Sequence, residues 1–489
     1  MNKQNVLIIM TDQHTHNLMT CAGNDEIETP NLDRIAANGI RFERAYCPYP
    51  VCLASRSSML TGLYAHNTRA VNNTDKLDWR FRTMAHHFAD NGYHTALIGK
   101  MHFNDVNNHG FNYYMSINDW LMYIGPKVQH YANEIANHQL MDGFYHSMND
   151  SGAGFPDVDD LWSDPDSSGN PWIGNVDKFD YSSTASELKV EDHLDSFITR
   201  ESIKFIERYK ANEQPFFMIS SFMKPHTPFY PPKEYADKYK IEDMDIDKNI
   251  GDINSYPEHI RQRINTNLSI DKKRLQAARA GYLGNLAFVD DCIGKLYDYL
   301  IDANLLENTL VVYTSDHGEM HFMHGLNQKF CLFENSVRVP FIISQPSNIK
   351  TNETCDALIN LVDLYPTLAD LTNTKLNESP ILVEDSSLKS KHKKIDGESF
   401  AQCVKDPSLP FKDEVFCEFA LKSDNGQYMI RSGKFKYNYN VKYCDELYDL
   451  VNDPDEYKNL INDTTYTEII ADLKNRLFNW YDPKYDNTN

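Results

Sequence analysis

Positive charge is scarce in this chain. Its 489 residues carry 48 Lys and Arg against 70 Asp and Glu, a formal net charge of -22. That is the reverse of what a phosphate-backbone binder needs, so nucleic acid is not an expected partner. An anionic ligand has to be held by a local cluster of Lys, Arg or metal against a repulsive whole. Long apolar runs are missing as well. Near the N-terminus the longest is Val6 to Met10, far short of a membrane span or of the apolar stretch of a secretory leader. No membrane partner is expected, and the compartment stays open: periplasmic or secreted if a leader was removed before Met1, cytoplasmic otherwise. Glycine and proline, 21 of each, are too few for a collagen-like or low-complexity chain. The nine cysteines are odd in number and widely spaced, and no Cys-x-x-Cys pair occurs among them. Neither a zinc site nor a disulfide framework is indicated.

What is present is a long globular chain, with material for two or three domains at roughly 150 residues each. Short apolar runs, Val6 to Met10, Thr95 to Ile98, Phe216 to Phe222, Thr309 to Tyr313 and Val339 to Ser344, end in polar residues. They alternate with amphipathic stretches at Asn31 to Asn38, Ser57 to Leu63, Met84 to Asn91, Ser196 to Tyr209, Leu275 to Ile301 and Leu361 to Leu371. The pattern predicts an α/β fold with a mostly parallel central sheet sandwiched by helices. In such sheets ligands bind beyond the carboxyl ends of the strands. Four of those ends carry a metal-ligand or anion-binding side chain: Asp12-Gln13, Lys100-Met101-His102, Lys224-Pro225-His226 and Asp316-His317-Gly318. One such residue reads as a cap or a surface charge, whereas four together read as a site.

Two stretches look like excursions from the core, about 104–195 and 240–273. The first holds three of the five tryptophans, Trp120, Trp162 and Trp172, and reads equally as a substrate-shaping rim or as a plain surface loop. From Asn373 the chain turns polar and ends in the basic run Lys389 to Lys394, which places a catalytic α/β domain over 1–394 and a smaller C-terminal subdomain over 395–489. There Tyr428 to Tyr439 alternates like a strand and Thr465 to Trp480 has helical spacing, predicting a small antiparallel sheet packed with a terminal helix.

The segment Cys52-Leu53-Ala54-Ser55-Arg56 with Leu60-Thr61-Gly62 resembles the signature of the formylglycine-dependent sulfatases, a family of the alkaline-phosphatase-like superfamily. Asn5 to Gln13 is similar to the family's first strand, and Thr29-Pro30-Asn31 to the helix start that follows. Gly99-Lys100-Met101-His102 and Lys224-Pro225-His226-Thr227-Pro228 are similar to its two Lys/His segments. Ser315-Asp316-His317-Gly318-Glu319, Ser336 to Pro340, and Glu446 to Leu450 with Asp453-Pro454 complete the series in family order.

The resemblance implies sulfate-ester hydrolysis by an aldehyde made from Cys52, with a formylglycine-generating enzyme as the maturation partner. It implies one divalent cation held by Asp12, Gln13, Asp316 and His317 together with the modified Cys52. Oxygen-dominated ligation favours Ca²⁺, with Mg²⁺ as the alternative. The family often has Asp where Gln13 stands and Asn where His317 stands, so this site carries fewer formal negative charges and one nitrogen donor. Arg56 is then expected to support the nucleophile, Lys100 and Lys329 to hold sulfate oxygens, His102 to help collapse the sulfated hemiacetal, and His226 to protonate the leaving alcohol with help from Lys329. Lys329 is placed by spacing alone, and His321 and His324 nearby are unassigned, each open to contacting substrate or facing solvent.

The expected substrate is a sulfated carbohydrate, a sugar of an ulvan-like or matrix polysaccharide or oligosaccharide. Three other readings stay open: a phosphonate monoester or phosphodiester hydrolase, a choline or aryl sulfatase, and an inactive module that only binds sulfated glycans.

Overall fold

The computed structural model describes residues 3–125, 185, 186, 188–210, 214–227, 229–246, 250–377, 379–383, 385, 392–421 and 423–483. Most of the excursion expected at 104–195, with Trp162 and Trp172, and the start of the basic run at 389–394 lie outside these residues. Among the described residues no helix is long and apolar enough to cross a membrane.

Strand β1, Asn5–Asp12, is buried at every position, as a strand covered on both faces must be. Its alternate residues feed two cores: Val6, Ile8 and Met10 face one, Leu7 and Ile9 the other. Four parallel strands lie side by side in the order β3 (His94–Gly99), β5 (Phe216–Pro225), β1, β6 (Thr309–Ser315). The sheet continues beyond β6 through antiparallel β8 (Phe341–Ser344) to β2 (Gly39–Tyr46), with β7 (Arg338–Val339) and β9 (Glu353–Asn360) on β2. At the other edge β4, Tyr113–Met115, inside the first expected excursion, pairs in parallel with β3.

Helices cover both faces. Among them are α1, Pro30–Ala37, the buried α2, Cys52–Thr61, the helix Leu194–Tyr209 and the 31-residue helix Lys272–Asp302, whose N-cap Asp271 accepts from the Lys273 and Arg274 amides. The mostly parallel, helix-covered sheet is the expected one, with two additions. β2 and β9 carry charged residues within the strand, Arg41, Glu43 and Arg44 in the first, so their apolar runs are too broken to stand out. The single strand read over Val339 to Ser344 is two, because Pro340 cannot donate to a ladder.

The C-terminal sheet runs β10 (Glu414–Phe419), β11 (Gln427–Ser432), β12 (Phe435–Asn440), β13 (Glu446–Asp449), all antiparallel, with the helix Thr467–Trp480 packed on it. The run Tyr428 to Tyr439 is thus a hairpin, not one strand. Gly433, at φ 54°, makes the turn between its arms. A third, smaller core joins Tyr448 of β13 to Ile260 and Ile264 of the helix Glu258–Leu268 and to Met320, Leu326 and Phe333. The second expected excursion therefore underpins the loop that follows β6.

Candidate active site

The four neighbouring parallel strands end at one place, and their last residues meet there. Asp12 closes β1, Lys100 follows β3, His226 follows β5 and Asp316 follows β6. Cys52 arrives from the other direction as the first residue of α2, all ten residues of which are buried. Helical spacing puts Arg56 one turn on and on the same face.

Asp12, Cys52, Asp316 and His317 each offer a donor atom within 4.8 Å of the others, all buried. Two carboxylates, an imidazole nitrogen and a sulfur converging in a dry pocket form a donor set that a divalent cation fits. The His317 Nδ1 donates to the Gly318 carbonyl at 3.0 Å, and its Nε2 faces the Cys52 Sγ at 3.1 Å; burial lowers this ring's pKa, but Asp316 and Cys52 outweigh it and raise it to about 9. Gln13 joins this group from behind: its amide N–H donates to Asp316 Oδ1 at 3.1 Å, and its side-chain Oε1 accepts from Lys329 Nζ at 2.5 Å.

Three cations neutralise the cluster. Arg56 spans both carboxylates, donating from Nη2 to Asp12 at 2.9 Å and from Nε to Asp316 at 2.7 Å, and holds the Lys100 carbonyl and Ser221 through Nη1. Arg56, expected to support the nucleophile, makes its ion pairs with these two carboxylates. Lys100 Nζ lies 2.7 Å from Asp12 Oδ2 and 3.8 Å from Cys52 Sγ. Lys329 Nζ reaches His226 Nε2 at 3.1 Å, so the lysine placed by spacing stands beside the histidine it was paired with. This is the local positive cluster that an anionic ligand needs in a chain of net charge -22.

The charges shift one another. Burial alone would raise the Cys52 thiol, yet Lys100, Lys329 and His317 hold it well below its ordinary value. Burial and Cys52 push Asp12 up, but Lys100, His226 and Arg56 outweigh them and keep it ionised. His226 is pushed down to about 4 by burial and by Lys329 and Lys100. Its Nδ1 lies 2.7 Å from the Thr227 carbonyl, so a neutral ring donates there and presents Nε2 as an acceptor to Lys329. His102, at φ 67°, is buried with neither ring nitrogen hydrogen-bonded, and burial lowers its pKa against the opposing influence of Cys52.

Every residue expected at the site is in this cluster. Four others were not foreseen. Glu319, though inside a quoted motif, is a buried acceptor for Gln13. Arg263, in the second excursion, donates to the carbonyls of Phe330 at 2.8 Å and Lys329 at 2.9 Å and so fixes the Lys329 loop. Ser221 takes Arg56, and the Tyr282 hydroxyl donates to the Gln13 carbonyl at 2.7 Å. Only the neighbouring Asp-His-Gly could have pointed to Glu319, and no local pattern marks the rest.

The family model "Sulfatase" matches residues 4–374, and that for "N-sulphoglucosamine sulphohydrolase, C-terminal" matches 322–482. The arylsulfatase of Clostridium perfringens is 31% identical over 481 residues, covering 96% of this chain and 93% of that one. The chain belongs to the sulfatase family. It is a sulfuric ester hydrolase. Among solved structures, the phosphonate monoester hydrolase of Agrobacterium radiobacter superposes with a TM-score of 0.75 at 20% identity, covering 98% of this sulfatase and 95% of that chain. A protein solved with its substrate D-glucosamine-2-N,6-O-disulfate gives 0.71 at 22% identity, with 99% of each chain covered. At such identities these two show the shared fold.

Proposed function

We propose that this sulfatase removes sulfate from a sugar of a sulfated polysaccharide or oligosaccharide, using Cys52 in its formylglycine form and one divalent cation. The observation that carries the reading is the convergence on Cys52 of Asp12, Asp316 and His317 on one side and of Lys100, Lys329, His102 and His226 on the other. A carbohydrate substrate is supported by the N-acetylglucosamine-6-O-sulfatase of Bacteroides thetaiotaomicron, 25% identical over 528 residues that cover 95% of this chain and 84% of that one.

Oxidised to an aldehyde, residue 52 supplies a hydrate: one hydroxyl attacks sulfur as the S–O bond to the alcohol breaks, and the other, losing its proton, expels sulfate and restores the aldehyde. Asp12, Gln13, Asp316 and His317 would hold a cation, Ca²⁺ or Mg²⁺, which when bound would lower the pKa of a residue-52 hydroxyl and neutralise sulfate oxygens. Lys100 and Lys329 bind the sulfate oxygens that remain. Neutral His102, facing residue 52, takes the proton from the second hydroxyl. The proton for the leaving alcohol comes from the Lys329 ammonium, which already donates to His226 Nε2; His226 relays or steadies it. Arg56 holds Asp12 and Asp316 in place beside residue 52 and opposes the rise that burial imposes on the Asp316 carboxyl.

The test has two steps. Protein co-expressed with a formylglycine-generating enzyme is digested, and the peptide spanning Cys52 is weighed; replacement of the thiol by a carbonyl is expected. The same protein is then assayed on ring-sulfated monosaccharides and oligosaccharides, para-nitrophenyl sulfate, choline sulfate and a phenylphosphonate ester. An unmodified thiol in active protein overturns the nucleophile, and turnover of aryl or choline sulfate with no glycan activity overturns the substrate.

A further inference from the structure

Glu319 is a buried carboxylate, 2% exposed, two residues beyond His317. Its Oε2 accepts from the Gln13 side-chain Nε2, and its Oε1 accepts from the backbone amides of His321, at 3.2 Å, and Gln328. Burial pushes the Glu319 carboxyl up, against the His321 and Gln328 amides and Lys329, and in its carboxylate form it only accepts, so it draws the NH₂ end of the Gln13 amide towards itself. The oxygen end is left to face Lys329, 2.5 Å away. Turning the amide over would set oxygen against oxygen at Glu319 and NH₂ against an ammonium at Lys329, so the two residues fix a single orientation between them. The same carboxylate closes the neck of the loop that ends at Lys329, where the Met320 amide also donates to the Gln328 carbonyl at 2.8 Å. That loop holds His321, Phe322, His324 and Gln328 at positive φ, a conformation non-glycine residues adopt only when their surroundings impose it.

We infer that Glu319 is a positioning residue that aims the Gln13 carbonyl into the cation pocket and supplies, one step further out, the negative charge that an Asp at position 13 would carry. This inference rests on the cation reading above. Outer partners of this kind typically change metal affinity by roughly 10–100-fold when removed.

The test is Ca²⁺ titration of the matured full-length protein, read by calorimetry and by the Ca²⁺ concentration that half-saturates thermal stabilisation. Glu319→Gln is expected to weaken Ca²⁺ binding about tenfold. In a Gln13→Asp background, where residue 13 brings its own charge and needs no aiming, the same Glu319→Gln change is expected to cost little, an outcome a purely structural Glu319 would not give. An unmoved affinity in Glu319→Gln, or an equal loss in both backgrounds, overturns the inference. Should Glu319→Gln fail to fold, Gln13→Glu reads the same pair from the other side. Its new carboxylate faces Glu319, so the Ca²⁺-free protein should melt below the Ca²⁺-free parent and gain more from Ca²⁺. Equal melting of the two Ca²⁺-free proteins overturns the inference. A parent that binds neither Ca²⁺ nor Mg²⁺ overturns the cation reading itself, whereas a parent that binds alongside an unmoved variant overturns only the role of Glu319.

Discussion

Among the described residues, buried charge gathers around Cys52 and around Lys436, and these two clusters are built differently. Lys436 of β12 is fully buried and pairs with Glu456 at 2.6 Å and Glu334 at 3.2 Å. The Tyr46 hydroxyl donates to Glu334 at 2.9 Å, and Arg431 donates to Tyr46 at 3.3 Å. The cluster joins the C-terminal sheet to the helix Glu334–Val337, and it contains no nucleophile. Around Cys52 two carboxylates and a thiol are pressed together, and Lys100 and Lys329, which help balance them, also act on that thiol. Buried ion pairs of the first kind specify how two parts dock. Crowding of the second kind, where like charges converge on a reactive atom, marks chemistry.

The sharpest way to break this contrast is Cys52→Ala, which should lower kcat/KM by about 10⁴-fold or more while leaving the melting temperature close to the parent's. Substantial residual sulfatase activity would remove the nucleophile from the site and, with it, the difference between the clusters. Acid acts instead on packing. Burial pushes His193, His259 and His324 down to about 3 each, so they fold neutral. A histidine whose folded pKa lies below its unfolded value stabilises the fold above about pH 6.5 and loses that contribution as pH falls. Between about pH 6.5 and 5 the loss is up to about 2 kcal/mol for each, measurable by denaturant unfolding across that range. A flat profile would show these rings to be solvated.

Lys436→Met strands two carboxylates and should cost about 3–5 kcal/mol, with kcat/KM of the folded fraction unchanged. A selective loss of activity would mean that the docking cluster feeds the site. The smallest expected effect is chelation of the cation. At a Ca²⁺ concentration about 100 times Kd, binding contributes about 2.7 kcal/mol, and EDTA should remove that stability from the parent and not from a Asp12→Ala, Asp316→Ala variant. Equal loss in both would place the stabilising ion elsewhere.

Much of this was legible in the sequence because its signals are local. β1, β3, β5 and β6 are apolar runs, and the residues that end them are fixed by chain position, so Asp12, Lys100, His226 and Asp316 could be named before any fold was known. α2 was read as starting at Ser57, since its first turn lacks helical periodicity when all ten of its residues are buried. β2 was hidden by Arg41, Glu43 and Arg44. Glu319 and Arg263 were missed because each acts on a neighbour brought close only by folding: Glu319 lies 306 residues from Gln13, and Arg263 lies 66 from Lys329.

Composition and motif order, by themselves, determined that the chain folds as a helix-covered parallel sheet, that it repels anions overall, and that cysteine, histidine, lysine and aspartate stand where strands end. Hydrophobic periodicity and strand ends are properties of a few consecutive residues, which is why they survive in one dimension. Only the tertiary structure decided how those residues face one another: that Arg56 clamps two carboxylates, that Lys329 donates to both Gln13 and His226, and that a buried glutamate aims the Gln13 amide. Electrostatic energy depends on distance through space and on exclusion of water, and neither exists until distant segments have packed.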